Sequence, residues 1–570
     1  MKKIAIVGVG PRGLSALESL LVSISNQQKE VEITLFDNAE HLGAGEVWRL
    51  NQPDVNWLNI SERDLETLDG RKEFLYRNTT IPHFPSYREW ANTNHKSNKP
   101  DFFPPRNKIG RYFKERFETL SAPLLKNGLL ELISTEISRI DKEGDRFHLE
   151  DTKQHHYFFN EVLLTIGHQP TENSEELNEW MDHAKGNKAV LLAEKPYPVE
   201  SFLASEVIDG SSQVALRGFG LAMIDVMRAL TLEKGGRFEI VNEETLEGVY
   251  HPSEESPKKI IPFSLDGKPP IPKPLTKKLD EQFKPSKAQL QTFSSALTEI
   301  TFGNAAVDNI DFFKEAVAEV ASGVYIKNLL PKEQSYSSEE IRKVILAWLD
   351  DEDYSHPLLY DAENNTKKSI QDYLKMATGK GEISLDYCVG QVWRHCHYPI
   401  FDAFSYTNLE EDILVKAFKL HGRMKRYSFG PPVESMQQLW ALIQAKVVTL
   451  HFVDNPDIST IPEGWKLKKE SKTITVSTLI NCVLDAPQLL KVTSPLVKNL
   501  LCNELIAPVH TKLGIATTEE ASVLTPENGV IPPLSVLGRL AKGSVLGVDS
   551  ISACFGERVQ QWADATARRM

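Results

Sequence analysis

Cysteine is scarce in this 570-residue chain: Cys388, Cys396, Cys482, Cys502 and Cys554 are odd in number and never spaced as CxxC. That spacing argues against a dithiol redox centre. Long apolar runs are missing as well. Nothing approaches the roughly 20 residues that span a bilayer, and the apolar N-terminus is a short run that stops at Gly8. A basic surplus is also absent. The net charge of −13 argues against a general nucleic-acid or anionic-membrane surface. Together these absences predict a cytoplasmic protein with neither a membrane nor a nucleic-acid partner. What is present, 41% hydrophobic and 25% charged residues, is the composition of a globular protein long enough for several domain-sized units.

The most informative stretch runs from Lys3 to Leu14. Ile4-Ala5-Ile6-Val7 reads as a buried parallel strand, and Leu14 to Leu21 has the apolar period of a helix beside it. Between them lies Gly8-Val9-Gly10-Pro11-Arg12-Gly13. Gly8 allows the tight turn, Gly10 lets a pyrophosphate approach the backbone, and Gly13 lets helix and strand pack closely. Val31 to Phe36 alternates into a second strand ending at Asp37, the acid expected on a ribose, with Asn38 beside it. The gap from glycines to acid is long, which Ser25 to Glu30 explains as a longer helix or loop. A second glycine turn, with Gly43, Gly45 and Trp48, suits close approach of a bulky flavin.

The theme repeats at Gln213 to Asp225, where Gly218-Phe219-Gly220-Leu221 links a strand to a helix, although Met223 stands at the third glycine position. Gly235-Gly236 and Arg237 to Val241 are read as completing a second βαβ half. Between the two halves, Glu161 to Gly167-His168 returns the chain to the first unit. The predicted fold is α/β, with two dinucleotide-binding, Rossmann-like domains, the second inserted in the first, plus a mainly helical insertion. Residues 1–170 form the first part of the FAD-binding domain and 190–285 the first part of the NAD(P)-binding domain. The helical insertion or lid covers 286–425, residues 426–486 return to the NAD(P)-binding domain, and 487–570 complete the FAD-binding domain. Two nucleotide domains point to hydride transfer between a nicotinamide and a tightly held flavin.

These signals resemble a family of FAD/NAD(P)-binding flavoproteins with a GxGPxG N-terminus. The resemblance continues through Pro104-Pro105-Arg106, Gly110-Arg111-Tyr112, Gly167-His168, Gly218 to Asp225, Gly430-Pro431-Pro432, Leu484-Asp485-Ala486 and Leu537 to Ile551, nearly the whole chain. Its characterised members are similar to class B flavin monooxygenases, including amine and amino-acid N-hydroxylases. The resemblance implies FAD held by Gly8, Gly10, Pro11, Gly13, Asp37, Gly43 and Gly45, by the backbone of Ile137 against the adenine, and by Asp549-Ser550-Ile551 near the isoalloxazine. Arg12 joins this set from the turn itself. One departure is Ser264-Leu265-Asp266-Gly267, where the family carries an arginine; Lys258 and Lys259 are alternatives for a nicotinamide 2′-phosphate.

The expected activity is FAD-dependent, NADP(H)-using monooxygenation of a small polar substrate by molecular oxygen, an amine or amino-acid nitrogen among the options. A flavin-dependent reductase or dehydrogenase without oxygen insertion is an alternative, as is a non-catalytic redox-sensing nucleotide-binding protein. No catalytic base stands out. Asn59 is a candidate flavin-pocket amide, Arg394 a candidate carboxylate clamp, and His168 a polar contact. His395 and His397 would share a face of a strand, but no further ligand pair accompanies them, so no metal site is expected. Pro252 to Pro285 reads as a loop, Val447 to Phe452 as a strand, and the last helix as a surface cap.

Overall fold

The computed structural model describes every residue except 305, 332–334, 485, 528 and 549. Two parallel sheets organise it. The first has six strands in the order Ser522–Leu524, Val530–Val536, Glu161–Leu164, Lys2–Val7, Val31–Phe36 and Glu131–Ile133. Only the Ser522–Leu524 edge pairs antiparallel. Ile4 to Val7 are apolar throughout because both faces are covered, Ile4 and Ile6 by the first and last helices and Ala5 and Val7 by a separate three-stranded sheet, and all four are buried. The chain leaves this sheet after Leu164 and rejoins it at Ser522–Leu524 and Val530–Val536, so the second sheet and the helices between them are an insertion.

The second sheet is fully parallel, in the order Leu191–Ala193, Thr478–Asn481, Gln213–Arg217 and Lys259–Phe263. Two expectations are corrected here. Arg237–Asn242 is no member of this sheet but pairs antiparallel with Glu247–His251 in a separate hairpin, and five of its six residues are exposed. The strand beside Gln213–Arg217 is Lys259–Phe263, which lies inside the proline-rich stretch read as a loop. It is an edge strand, where Pro262 removes no ladder donor that a neighbour needs. Val447 to Phe452 makes only an isolated bridge, Ile260 to Val448, because it leaves the preceding helix in turns.

Between Lys259–Phe263 and Thr478–Asn481 stand the helices Lys287–Thr301, Asp311–Asn328, Ser338–Asp350, Thr366–Ala377, Leu385–His395, His397–Ala403, Glu411–Ser428 and Val433–Gln444. Ser286 with Gln289 and Ser337 with Glu340 form capping boxes that start two of them. Their apolar faces share one core with the second sheet. His395 therefore ends one helix and His397 begins the next, so the strand reading of this pair is corrected.

The last helix, Glu557–Arg569, is not a surface cap. Trp562, Ala563 and Ala567 are buried in the core of the first domain, and Ser23 of the opening helix Pro11–Asn26 donates to Asp564 at 2.6 Å. Inside that core Glu18 is paired with Arg71 (2.8 Å) and Arg116 (2.7 Å), tying the opening helix to Arg106–Lys126.

Candidate functional site

The first cradle forms at the carboxyl ends of the central strands, where ligands bind in open α/β sheets. Gly8 has φ +95°, and a Cβ there would sit 2.6 Å from the Thr165 carbonyl oxygen. A Cβ on Gly13 would lie 2.2 Å from the Gly8 oxygen, so helix and strand close only around glycine. Pro11 occupies the first turn of the helix, which therefore opens toward the turn without needing its missing N–H. Asp37 accepts from Val9 N–H and, at 2.8 Å, from Ala39 N–H, with Asn38 exposed between. Gly43 N–H donates to the Val9 carbonyl at 2.6 Å. Gly45 packs against Gly10: a Cβ on Gly45 would lie 3.3 Å from Gly10 Cα, and one on Gly10 would lie 3.7 Å from Gly45 Cα.

Trp48 closes this side, edge-on to Phe113 at 5.8 Å, and its buried indole N–H has no protein partner. Arg12 reaches from the turn to the Val548 carbonyl at 3.3 Å. Ile551 is buried beside it, and Ser550 shares a 2.6 Å hydrogen bond with Ser552. Gly167 and His168 are exposed where Glu161–Leu164 ends. Ile137 lies in a separate three-stranded sheet, but its side chain enters the core that holds Phe36, one residue before Asp37. Asp549 lies outside the described residues. A strand-to-helix glycine turn, an acid at the end of the next strand and an orphaned donor beside them fit a dinucleotide.

The second glycine turn lies at the carboxyl end of Gln213–Arg217 in the second sheet. Gly218 N–H donates to the Phe263 carbonyl at 2.7 Å, and Gly220 with Leu221 starts the helix Leu221–Leu232. A Cβ on Gly220 would meet nothing within 4 Å. Strand direction removes Lys258 and Lys259 from this site: they stand at the amino end of their strand, opposite the binding edge, and Lys259 is bonded to the Lys446 carbonyl.

A buried polar tetrad joins the two domains. Arg106, first residue of its helix, is paired with Asp225 of Leu221–Leu232, and Asp225 also accepts from the Tyr197 hydroxyl and from Arg228 (3.2 Å). Arg228 donates to the Val55 carbonyl at 3.0 Å and lies 3.8 Å from the Trp57 ring centroid. Burial lowers its pKa to about 10, against the pull of Asp225.

Beside this joint the structure assembles charges that the sequence did not connect. Lys273 sits on a strap pinned by Ile271 N–H to the Arg426 carbonyl, Lys273 N–H to that of Pro431 and Leu275 N–H to that of Ala377. Its ammonium donates to Asn59 Oδ1 at 2.8 Å and to the Asn59 carbonyl, while the Asn59 amide donates to the Phe429 carbonyl at 2.9 Å. Asn59 is thus committed on both sides and fixes the lysine. Burial drives the Lys273 pKa down and Arg394 pushes the same way; Asp64, Asp280 and Asp101 resist, and it settles at about 7.

Arg394 is paired with Asp280 and donates to Gln391 Oε1 at 3.1 Å; His395 contacts the same Asp280 oxygen at 3.1 Å. Arg63 adds pairs to Asp101 (2.8 Å) and Asp280 (3.5 Å). Burial raises the Asp280 carboxyl, but Arg394 and His395 overcome it and hold the group far below the usual range. One helix on, the Tyr398 hydroxyl donates to Ser552 at 3.1 Å, joining this cluster to the C-terminal wall of the first cradle. Among the described residues no group of three His, Cys, Asp or Glu could hold a metal ion. No helix among them is long and apolar enough to cross a membrane.

Residues 5–169 match the family model described as FAD-NAD(P)-binding. The segment carrying the first cradle is thus an FAD/NAD(P)-binding domain. Over 261 residues the chain is 29% identical to a nitrosuccinic acid synthase of Aspergillus oryzae, covering 45% of this chain and 39% of that protein. It is 24% identical over 282 residues to an L-aspartate N-monooxygenase (nitrosuccinate-forming) of Streptomyces davaonensis, covering 45% and 42%. The chain spans about two fifths of the length of these relatives. Among solved structures, the reduced form of an ornithine hydroxylase from Pseudomonas aeruginosa aligns over 100% of this chain and 99% of that one, at 11% identity and a TM-score of 0.46.

Proposed function

We propose that this chain is an FAD-dependent, NAD(P)H-using monooxygenase that oxidises the nitrogen of a small amino acid bearing an extra carboxylate. The observation that carries this reading is the pair of cations Lys273 and Arg394, the latter four residues before Tyr398, whose hydroxyl meets Ser552 in the wall of the first cradle. Two relatives named for nitrosuccinate formation support it. FAD would lie along Gly8, Gly10, Pro11, Arg12, Gly13, Asp37, Asn38, Gly43, Gly45 and Trp48, with Ile137, Gly167, His168, Asp549, Ser550 and Ile551 around it. NADP(H) would meet Gly218, Gly220 and Leu221.

Bound FAD supplies the two-electron chemistry that NAD(P)H drives and that activates oxygen. The balance is R–NH2 + NADPH + H+ + O2 giving R–NHOH + NADP+ + H2O. The protein supplies the rest. Charged Lys273 and the free edge of the Arg394 guanidinium bind a carboxylate, Asn59 fixes the lysine, and Asp280 fixes the arginine. Burial strengthens each of these interactions and keeps water away. The test is NADPH oxidation by purified protein with and without L-aspartate. Stimulation by L-aspartate that Lys273→Met reduces at least tenfold supports the reading; an unchanged rate with every amino acid offered contradicts it.

A further inference from the structure

Beyond the carboxyl end of Lys259–Phe263, and lined by none of the cradle residues named above, a cavity of about 120 Å3 opens between the helical insertion and the loop at Asp266 to Pro269. This is well above the ~10–15 Å3 that one water needs. Its inner wall carries Arg423 and Arg426, three residues apart on Glu411–Ser428 and so on one face of that helix. Arg426 Nε donates to the Pro269 carbonyl at 2.9 Å and Arg423 donates to the Trp348 carbonyl at 3.1 Å, leaving the buried Arg423 Nε without a partner. Among the described residues neither guanidinium has a carboxylate within ion-pair distance.

The nearest buried acid is not available to them. Asp386 is filled by the Tyr373 hydroxyl (2.8 Å), the Tyr427 hydroxyl (3.2 Å) and Tyr360 N–H (2.9 Å). Lys268 is likewise taken up by Glu352 and Asp353. Two half-buried cations side by side at a cavity, balanced only by carboxylates beyond ion-pair distance, would gain from an anion that joins them. At the rim the polarity reverses, because Asp266 and Asp361 line the cavity and are exposed.

We propose that this cavity is a second small-molecule site that takes an α-amino acid as a zwitterion, its carboxylate on Arg423 and Arg426 and its ammonium toward Asp266 and Asp361. The flavin reading is not needed for it. The loop it orders runs on through Pro269 to Lys273, so an occupant would bear on the flavin-side cluster through the Arg426 to Pro269 bond.

The test is calorimetric titration of the flavin-loaded Lys273→Met protein, in which the flavin-side head is silenced, with L-aspartate, succinate and inorganic phosphate as probes. L-aspartate should bind, and adding Arg423→Met, which keeps an apolar stem against Trp348, should weaken it at least tenfold. Arg426→Lys, which keeps the charge but loses the fork, should weaken it several-fold. Succinate and phosphate, lacking an ammonium group, should bind at least fivefold more weakly. No heat with L-aspartate, or an isotherm unchanged by Arg423→Met while the flavin stays bound, overturns the site. Equal binding of succinate and L-aspartate overturns the zwitterion assignment.

Discussion

Lys273 shows how one buried group can set a pH dependence. Its ammonium loses hydration, and Arg394 adds repulsion, so the proton leaves near pH 7 rather than at the ordinary lysine value of about 10.4. Between those two values the unfolded chain binds the extra proton. Stability therefore rises with pH across that window on account of this group, and Lys273→Met should flatten the rise. Substrate binding runs the other way. A carboxylate needs the charged lysine, so its KM should climb as pH rises from about 6.5 to 8.5 and stay nearly level in Lys273→Met. A profile that climbs equally in both proteins would rule out the lysine as the cause. Gly13 makes the second residue-scale case. A methyl group there meets the Gly8 oxygen at 2.2 Å, so Gly13→Ala should yield colourless protein, scored by flavin absorbance per chain against wild type.

At the scale of elements, helices are fixed by buried charge as much as by apolar packing. Glu18 is the counter-ion of two arginines from separate segments, Arg71 and Arg116. Glu18→Ala strands both guanidiniums in the core and should cost about 3–5 kcal/mol, read as a lower midpoint in urea with an unchanged slope. The elements also show what the sequence could convey. The glycine turn, the strand Val31–Phe36 and the helix Leu221–Leu232 were legible because backbone approach and apolar period leave local signatures. Lys259–Phe263 was not, since a proline inside a strand is tolerated only at a sheet edge and edge position is a tertiary fact. Arg237–Asn242 misled in the opposite sense: its alternation is real, but it serves an exposed hairpin. The cluster around Lys273 was illegible because Arg63, Asp101, Asp280 and Arg394 come from four distant segments, and only Asn59, Arg394 and His395 drew notice from the sequence.

For the whole molecule, the Arg106, Tyr197, Asp225 and Arg228 tetrad sets how the two nucleotide domains face each other. Asp225→Ala leaves two cations unpaired at the joint. Expected outcomes are a stability loss of about 3–5 kcal/mol and faster proteolysis between the domains, checked by thermal unfolding and limited digestion; digestion at the wild-type rate would show that the tetrad does not hold the domains. On the proposed reading, the two-sheet arrangement with an inserted domain would give the nicotinamide its own cradle, and the Tyr398 to Ser552 contact would link the helix after Arg394 to the first. These relations make transfer of an oxygen atom to a bound nitrogen the central claim. Incubating the purified protein with NADPH, L-aspartate and 18O2, then weighing the product, tests it most directly. The account predicts 18O on the product nitrogen in proportion to NADPH consumed. NADPH consumption that leaves the amino acid unlabelled would contradict it.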